Sequence, residues 1–445
     1  MEIGYDDARA RRLPALPNHA GRRNESRVTC SANRMNNSTR NLFATLLCLA
    51  SLVKCPAREW TRFRGPNGSG ISTAKTIPAK WEEKDFNWKT ELPGAGHSSP
   101  VLWGDKIFVT SGDDRAKEVY LICAGATDGK ILWQQAFPFA PYSKNGRNTF
   151  ASGTAAVDQD RVYFCWSDPD HYMLAALAHD GKKAWEQDLG PYASQHGGGN
   201  SPIVWKDQVV LAKEQDGESF LVAVEAATGK TRWRTARRTA EAGYATPFVY
   251  EPEGAKPALI CVSHGDGISA IAPESGAVLW ELGNLFDKRV VSSPIVAAGL
   301  IIGACGSGGG GNYVVAVRPG DGAKGTKPAL AYKISHSAPY VPTSVCVGDR
   351  LFLWSDGGIV SLVQASSGEL KWQERVGGDY FSSPVWVDGR LFGISTRGEV
   401  VVLEASDEFK VLARNSLGEE TESTPAVARG RMYIHTVRHL VSVGR

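Results

Sequence analysis

The sequence predicts an all-β chain, with residues 86–445 forming one eight-bladed β-propeller. Three observations predict it. Short β-branched runs alternate with Gly, Asp, Asn and Ser clusters, and long helical periodicities are scarce. A strand phrase recurs eight times at intervals of 40–55 residues, the spacing of propeller blades. The last copy lacks its outer strand, and a matching strand stands ahead of the first copy.

The strand phrase is a small residue and Pro, two or three apolar residues, a turn, then an apolar strand. Clear copies are SSPVLWGDKIFV from Ser98, NSPIVWKDQVVL from Asn200, SSPIVAAGLIIG from Ser292, SSPVWVDGRLFG from Ser382 and STPAVARGRMYI from Ser423. Degenerate copies begin at Thr154, Ala245 and Thr343. Aligned on the Pro, the anchors are Pro100, Ala155, Pro202, Pro247, Pro294, Ser344, Pro384 and Pro425.

A second phrase lies between anchors: Asp, Thr or Ser, then Gly, three residues and Trp. It ends at Trp133, Trp185, Trp233, Trp280 and Trp372, with Tyr332 and Leu412 in the weaker copies. Gly supplies the positive φ of a hairpin turn. The Trp opens a blade's outermost strand, where a large ring wedges against the neighbouring blade. These Trp are therefore structural. The copy missing after Pro425 is Asn87-Trp88-Lys89-Thr90-Glu91-Leu92, twelve residues before Pro100. That arrangement fits a ring closed by the N-terminal strand better than an open solenoid.

Residues 42–53, LFATLLCLASLV, carry no charge and are flanked by Arg40 and Lys54. This reads as a signal-peptide core, too short to span a membrane as a helix. Residues 1–34 do not resemble the segment that precedes such a core, so Met35 is the expected start and 1–34 an extension. Residues 35–57 are then the signal peptide, cleaved after Ala50 or Ala57, and 58–85 a lead-in segment. The address is export, to the periplasm or the extracellular space. Lys54 before Cys55 disfavours a lipid anchor.

Residues 1–34 hold seven Arg against four acids, and the remainder carries 43 basic and 43 acidic residues. A neutral body excludes non-specific nucleic-acid binding. The eight cysteines form no CxxC, which removes zinc-ribbon, thioredoxin and haem-attachment readings. Cys123, Cys165, Cys261, Cys305 and Cys346 sit in apolar strand contexts and read as buried thiols, with one disulfide left open by an oxidising compartment. The expected state is a monomer.

The repeat carries a family resemblance. Ala227-Thr228-Gly229-Lys230-Thr231-Arg232-Trp233 resembles the tryptophan-docking repeat of pyrroloquinoline-quinone (PQQ) dehydrogenases, and equally the repeats of the outer-membrane-protein assembly lipoprotein B. Residues 63–72, FRGPNGSGIS, resemble the lead-in segment of exported bacterial PQQ-like propellers. The dehydrogenase resemblance implies PQQ and Ca²⁺ over the propeller axis, with a carboxylate base. The assembly-lipoprotein resemblance implies partner proteins held by loops, with no cofactor. This chain has no adjacent cysteine pair, as alcohol-oxidising members do, and no DxDxDG calcium loop.

Loops from one blade's outer strand to the next blade's inner strand approach the axis on one face. Six span 12–14 residues from the Trp position to the next anchor, but those after Trp133 and Trp185 span 22 and 17. The insertions, 138–150 and 190–200, bring Tyr142, Lys144, Arg147, Tyr192, Gln195 and His196 to that face. His97, Asn200, Tyr244, Arg289, Tyr340, Asp379, Tyr380, Phe381 and Glu422 stand just before the anchors. Together they are the candidate lining of a ligand funnel. The serines of the Ser-Ser-Pro phrase read as turn caps, because the phrase recurs without a neighbouring His. Residues 306–311, GSGGGG, lack the end of a phosphate loop and read as a hairpin tip.

Three functions follow. The first is a non-catalytic propeller binding a ligand or protein. The second is a PQQ- and calcium-dependent dehydrogenase of alcohols or sugars, with Asp379 or Glu422 as base and no metal ligands assigned. The third is a carbohydrate- or polymer-binding module with Tyr142, Tyr192, Tyr340 and Tyr380 as stacking surfaces.

Overall fold

The structure is a computed structural model that describes residues 59–445 except 240 and 322–324. The signal segment, Met35, both cleavage positions and Cys55 lie outside the described residues. Eight antiparallel sheets form the blades of a propeller. Blade one orders Val101–Trp103, Lys106–Asp113, Glu118–Gly125 and Ile131–Pro138 from its innermost strand outward. Each blade buries both faces of its middle strands against its neighbours, so those strands read as apolar runs such as Gln208–Lys213 and Ser219–Glu225.

Ring closure follows the count of strand phrases. Trp88–Glu91 pairs antiparallel with His439–Gly444, with Trp88 opposite Ser442 and Glu91 opposite His439. The eighth blade therefore takes three strands from the C-terminus and its outer strand from residues 88–91.

The outer strands show how the Trp phrase works. Cys123 pairs with Trp133 while Ala124 pairs with Ile131, and Ala270 pairs with Trp280 while Ile271 pairs with Val278. One residue is thus bulged out just before each Trp. The bulged Leu132 and Leu279 are 53% and 50% exposed, and the ring that follows is re-aimed at the next blade. Trp133 Nε1 donates to His179 O at 3.0 Å, Trp185 Nε1 to Ala226 O at 2.9 Å and Trp233 Nε1 to Pro273 O at 2.8 Å. Each acceptor opens the next blade's turn. The turn glycine serves twice: Gly181 and Gly229 have φ of +87° and +75°, and a Cβ there would meet the Trp ring at 2.9 and 2.6 Å. Trp372 Nε1 reaches Ser406 O at a longer 3.4 Å, where the blade-seven turn has no glycine.

A ring of hydroxyls latches blade to blade. The backbone N–H of Ser99 donates to Thr154 Oγ1, and that of Thr154 to Ser201 Oγ. Thr246 donates to Ser293, Ser293 to Thr343, Thr343 to Ser383, and Ser383 to Thr424, with all six bonds at 2.9–3.0 Å. Each of these Ser or Thr residues immediately precedes an anchor. They join neighbouring blades rather than capping local turns.

The seam between blades eight and one uses other groups. Ser423 Oγ donates to Ser98 O at 3.0 Å, and His435 Nδ1 lies 2.8 Å from the same carbonyl. His435 is fully buried, and burial lowers its pKa to about 4. The unfolded imidazole takes its proton near pH 6.5. The folded one resists protonation down to about 4. Stability held above pH 6.5 is therefore lost as pH falls from 6.5 towards 4. Relative to wild type, His435→Gln should gain about 3 kcal/mol between pH 6.5 and 4. Urea unfolding at the two pH values measures it; an unchanged difference would contradict the buried neutral imidazole.

The lead-in segment is part of the fold. Leu102 N–H donates to Trp60 O, Val157 N–H to Thr61 O and Trp386 N–H to Gly70 O, each at 2.8 Å. Asn67 exchanges two hydrogen bonds with the backbone of Val249, at 2.6 and 2.9 Å. Ile71–Ser72 adds a parallel strand to the innermost strand of blade seven, Val385–Val387. Residues 60–72 thus touch the innermost strands of blades one, two, four and seven and fill the channel between them. The chain then runs over blades seven and eight, where the Trp81 ring stacks on Phe392 and the Trp81 backbone N–H donates to Asn415 Oδ1, before it forms the closing strand.

The five cysteines among the described residues are free thiols. Burial pushes Cys123, Cys165, Cys261 and Cys346 up to about 12, which makes them inert.

Candidate functional site

The connections into each innermost strand and the loops between each blade's two middle strands rise on the same face. They surround a cavity of about 1000 Å³. Its lining includes His97, Arg147, Gln195, His196, Tyr244, Arg289, Tyr340, Asp379, Phe381 and Glu422. It also includes Phe63 from the lead-in segment, together with Glu241, Asp287, Lys288, Asp356 and parts of 306–312. The sequence offered no signal for Phe63, because nothing in it shows that the lead-in enters the channel. Asp356 and residues 306–312 belong to loops inside blades, which the lengths of the connections between blades do not report on; Asp287 and Lys288 lie in the connection before Pro294, beside Arg289.

Phe63 stands between two buried arginines. Arg62 Nη2 donates to Pro247 O at 2.5 Å. Arg64 is fully buried and donates to Thr343 O, Ser344 O and Pro384 O at 2.8–3.1 Å. It also donates to Gly68 O and Ser69 O within its own segment, at 3.2 and 3.3 Å. The anchors of blades four, six and seven thereby hold the floor of the funnel in place.

Other candidates lie behind the lining. Tyr192 is 4% exposed and packs on Tyr172 at 5.0 Å. Tyr380 is fully buried against Trp354 at 5.2 Å. Asn200 is 2% exposed and donates to Gly243 O at 2.8 Å. Tyr142 packs on Phe150 and receives Gly198 N–H at 3.1 Å. Lys144 donates to Asn148 O at 2.5 Å.

These groups hold the two insertions together. Asn148 Nδ2 donates to His196 O at 2.7 Å and Gly198 O at 3.0 Å. Lys213 Nζ donates to Leu189 O and Pro191 O at 3.0 and 2.7 Å. Asp216 accepts from Gln195 N–H and Ala242 N–H at 3.0 and 2.8 Å, and Tyr244 OH donates to Gly197 O at 2.9 Å. The insertions form a preorganised wall.

The mouth carries charges of both signs. His97 Nε2 lies 3.9 Å from Glu422 Oε2. Burial, with His435 and Lys144 nearby, lowers His97 to about 4, and burial raises Glu422 to about 7. At neutral pH the imidazole is uncharged, and burial holds the Glu422 carboxyl well above the usual carboxylate range. Across the mouth, Arg289 Nε lies 3.6 Å from Glu241 Oε2. Arg147 stacks on Phe381 at 4.8 Å, with no carboxylate in salt-bridge range among the described residues. Asp356 is held by the backbone N–H groups of Tyr340 and Val341 at 2.7 and 3.0 Å.

A family model described as outer membrane protein assembly factor BamB matches residues 79–247, 173–333, 220–376, 309–407 and 356–443. The chain belongs to this family. The BamB of Moranella endobia (strain PCIT) is 24% identical over 244 residues, which are 50% of this chain and 59% of that protein. The chain thus matches about three fifths of that relative's length. The structure of BamB from Moraxella catarrhalis superposes with a TM-score of 0.56 at 15% identity, covering 80% of this chain and 98% of the other. The quinohemoprotein alcohol dehydrogenase of Comamonas testosteroni gives a TM-score of 0.60 at 13% identity, over 87% and 80% of the two chains. At such identities the structural likenesses to BamB and to the dehydrogenase establish the propeller alone.

Proposed function

We propose that this chain is a non-catalytic binding propeller of the cell envelope, with its ligand or protein partner held at the funnel face. The observation that carries this reading is the mouth itself, whose wall is built by hydrogen-bonded insertions and whose floor is fixed by Arg62 and Arg64. Membership of the BamB family favours binding over turnover. Export rests on the apolar run 42–53. No helix of the described residues is long and apolar enough to cross a membrane.

The dehydrogenase reading needs a calcium cradle and a base beside a quinone. The funnel carboxylates are dispersed instead. Glu241 faces Arg289, Glu422 faces His97, Asp356 caps backbone N–H groups and Asp287 accepts the Tyr313 hydroxyl. Among the described residues no three His, Cys, Asp or Glu side chains converge as a metal site. The residues present do not fit a calcium–quinone pair. Calorimetry with PQQ and Ca²⁺, followed by a dye-linked alcohol assay, tests this. The expected result is no tight binding and no dye reduction; tight binding with alcohol-dependent reduction would overturn the proposal.

A further inference from the structure

We infer that the funnel binds an acidic carbohydrate, a short oligosaccharide that bears a uronic-acid carboxylate. This rests on the binding reading above and names its ligand class. Two features of the floor and one of the rim carry it.

The first feature is the hydroxyl ring. Seven of the eight latch residues line the funnel, all except Ser293, and each of the seven is no more than 6% exposed. Five of them, Thr154, Ser201, Thr343, Ser383 and Thr424, accept a neighbour's backbone N–H. None has a protein acceptor for its own proton among the described residues. A buried hydroxyl with no acceptor is costly. A ligand that completes this collar must be rich in oxygen acceptors, as a carbohydrate is and an apolar molecule is not.

The second feature is Phe63, an aromatic ring set in the lining of the same cavity. The C–H face of a pyranose is apolar and stacks on such a ring, while its edge hydroxyls point outward to polar groups. Here those groups are the collar together with Glu241, Asp379 and Glu422. An extended peptide is a poorer fit. It would need a free strand edge on the axis, and residues 60–72 already bond to the innermost strands there.

The rim feature is Arg147. Its guanidinium carbon lies over the Phe381 ring at 4.8 Å from the centroid, exposed at the mouth. It makes no salt bridge within 4 Å among the described residues, although Glu422 is near enough to feel its charge, whereas Arg289 pairs with Glu241. An arginine held over a ring in this way keeps its N–H groups free for a bidentate carboxylate. The ligand supplies that carboxylate.

The test is calorimetry of the full chain with trimers of galacturonate and of mannuronate, their methyl esters, and PQQ. At least one acid trimer should bind, and its ester about tenfold more weakly. Arg147→Gln should bring the acid down to the ester's affinity and leave the ester unchanged. Phe63→Ala should weaken acid and ester alike, by about tenfold or more. Arg147→Gln, at an exposed position, keeps the test readable if Phe63→Ala fails to fold. Failure of every trimer to bind, or equal affinity for acid and ester, overturns the inference. Neither result affects the non-catalytic reading, which fails only if PQQ binds with dye reduction.

Discussion

Replacing Arg64 with Met should lower the stability of the folded chain by about 4 kcal/mol, near the top of the range for one substitution. The side chain is fully buried and has no carboxylate partner among the described residues. Burial alone lowers its pKa to about 9, and it stays charged at neutral pH. Backbone carbonyls from three places compensate the charge: blade six, blade seven and its own segment. Met restores the bulk but leaves Thr343, Ser344 and Pro384 with carbonyls that lose a donor in a closed channel. Each such loss costs on the order of 1–3 kcal/mol. Arg64→Lys should lose nearly as much, since a single ammonium cannot reach carbonyls that a planar fork bridges. Arg147→Met, at an exposed site, should stay within about 0.5 kcal/mol. Urea unfolding followed by fluorescence and circular dichroism measures all three. A loss below about 1 kcal/mol for Arg64→Met would show that the lead-in segment merely lies against the channel.

The comparison of sequence with structure turns on where information is local. The blades were legible because each carries its own punctuation: a hydroxyl residue and Pro before the inner strand, and a Gly turn and Trp before the outer one. Even the latch stood in the sequence, since Ser99, Thr154, Ser201, Thr246, Ser293, Thr343, Ser383 and Thr424 all precede anchors. Its partner in the next blade, 40–55 residues away, did not. Tyr340 and Tyr380 show the limit for the site. Both stand four residues before an anchor, yet Tyr340 faces the cavity and Tyr380 is buried. The register pairs Ile295 with Ile302 and Val345 with Phe352, so Trp354 in blade six occupies the place of Ala304 in blade five. Trp354 covers Tyr380; an alanine is too small to cover Tyr340 in the same way. The orientation of each tyrosine is therefore decided by a residue on another strand. Phe63 was beyond reach for a stronger reason. Its place depends on a segment crossing the channel to blades whose residues lie about 180–320 positions further along the chain.

Removing the closing strand should have the largest effect of any change considered. A chain that starts at residue 93 keeps seven complete blades but leaves His439–Gly444 as a bare edge in the eighth. It also loses Trp88, whose ring packs near Tyr433 at 6.0 Å and covers Gly129 in blade one. The seam would then rest on side-chain contacts: Ser423 and His435 with Ser98, and Arg429, Arg431 and Tyr433 with Gly104, Ala126 and Thr127. An open edge of alternating Leu440, Val441 and Val443 invites pairing with another chain. The expected product is aggregated, with no cooperative unfolding transition. A chain that starts at residue 73 separates the two roles of the N-terminal segment. It lacks the plug with Arg62, Phe63 and Arg64 but retains Trp81 and residues 88–91, so the ring still closes. It should remain monomeric and unfold cooperatively at a lower urea midpoint, because the Arg64 contacts are gone but every blade keeps four strands. Size-exclusion chromatography and urea unfolding of the two chains beside one that starts at residue 59 make the comparison. If the chain from 93 were as monomeric and cooperative as the chain from 59, the propeller would not depend on its N-terminal strand for closure. If the chain from 73 behaved like the chain from 93, the plug rather than the strand would be holding the ring.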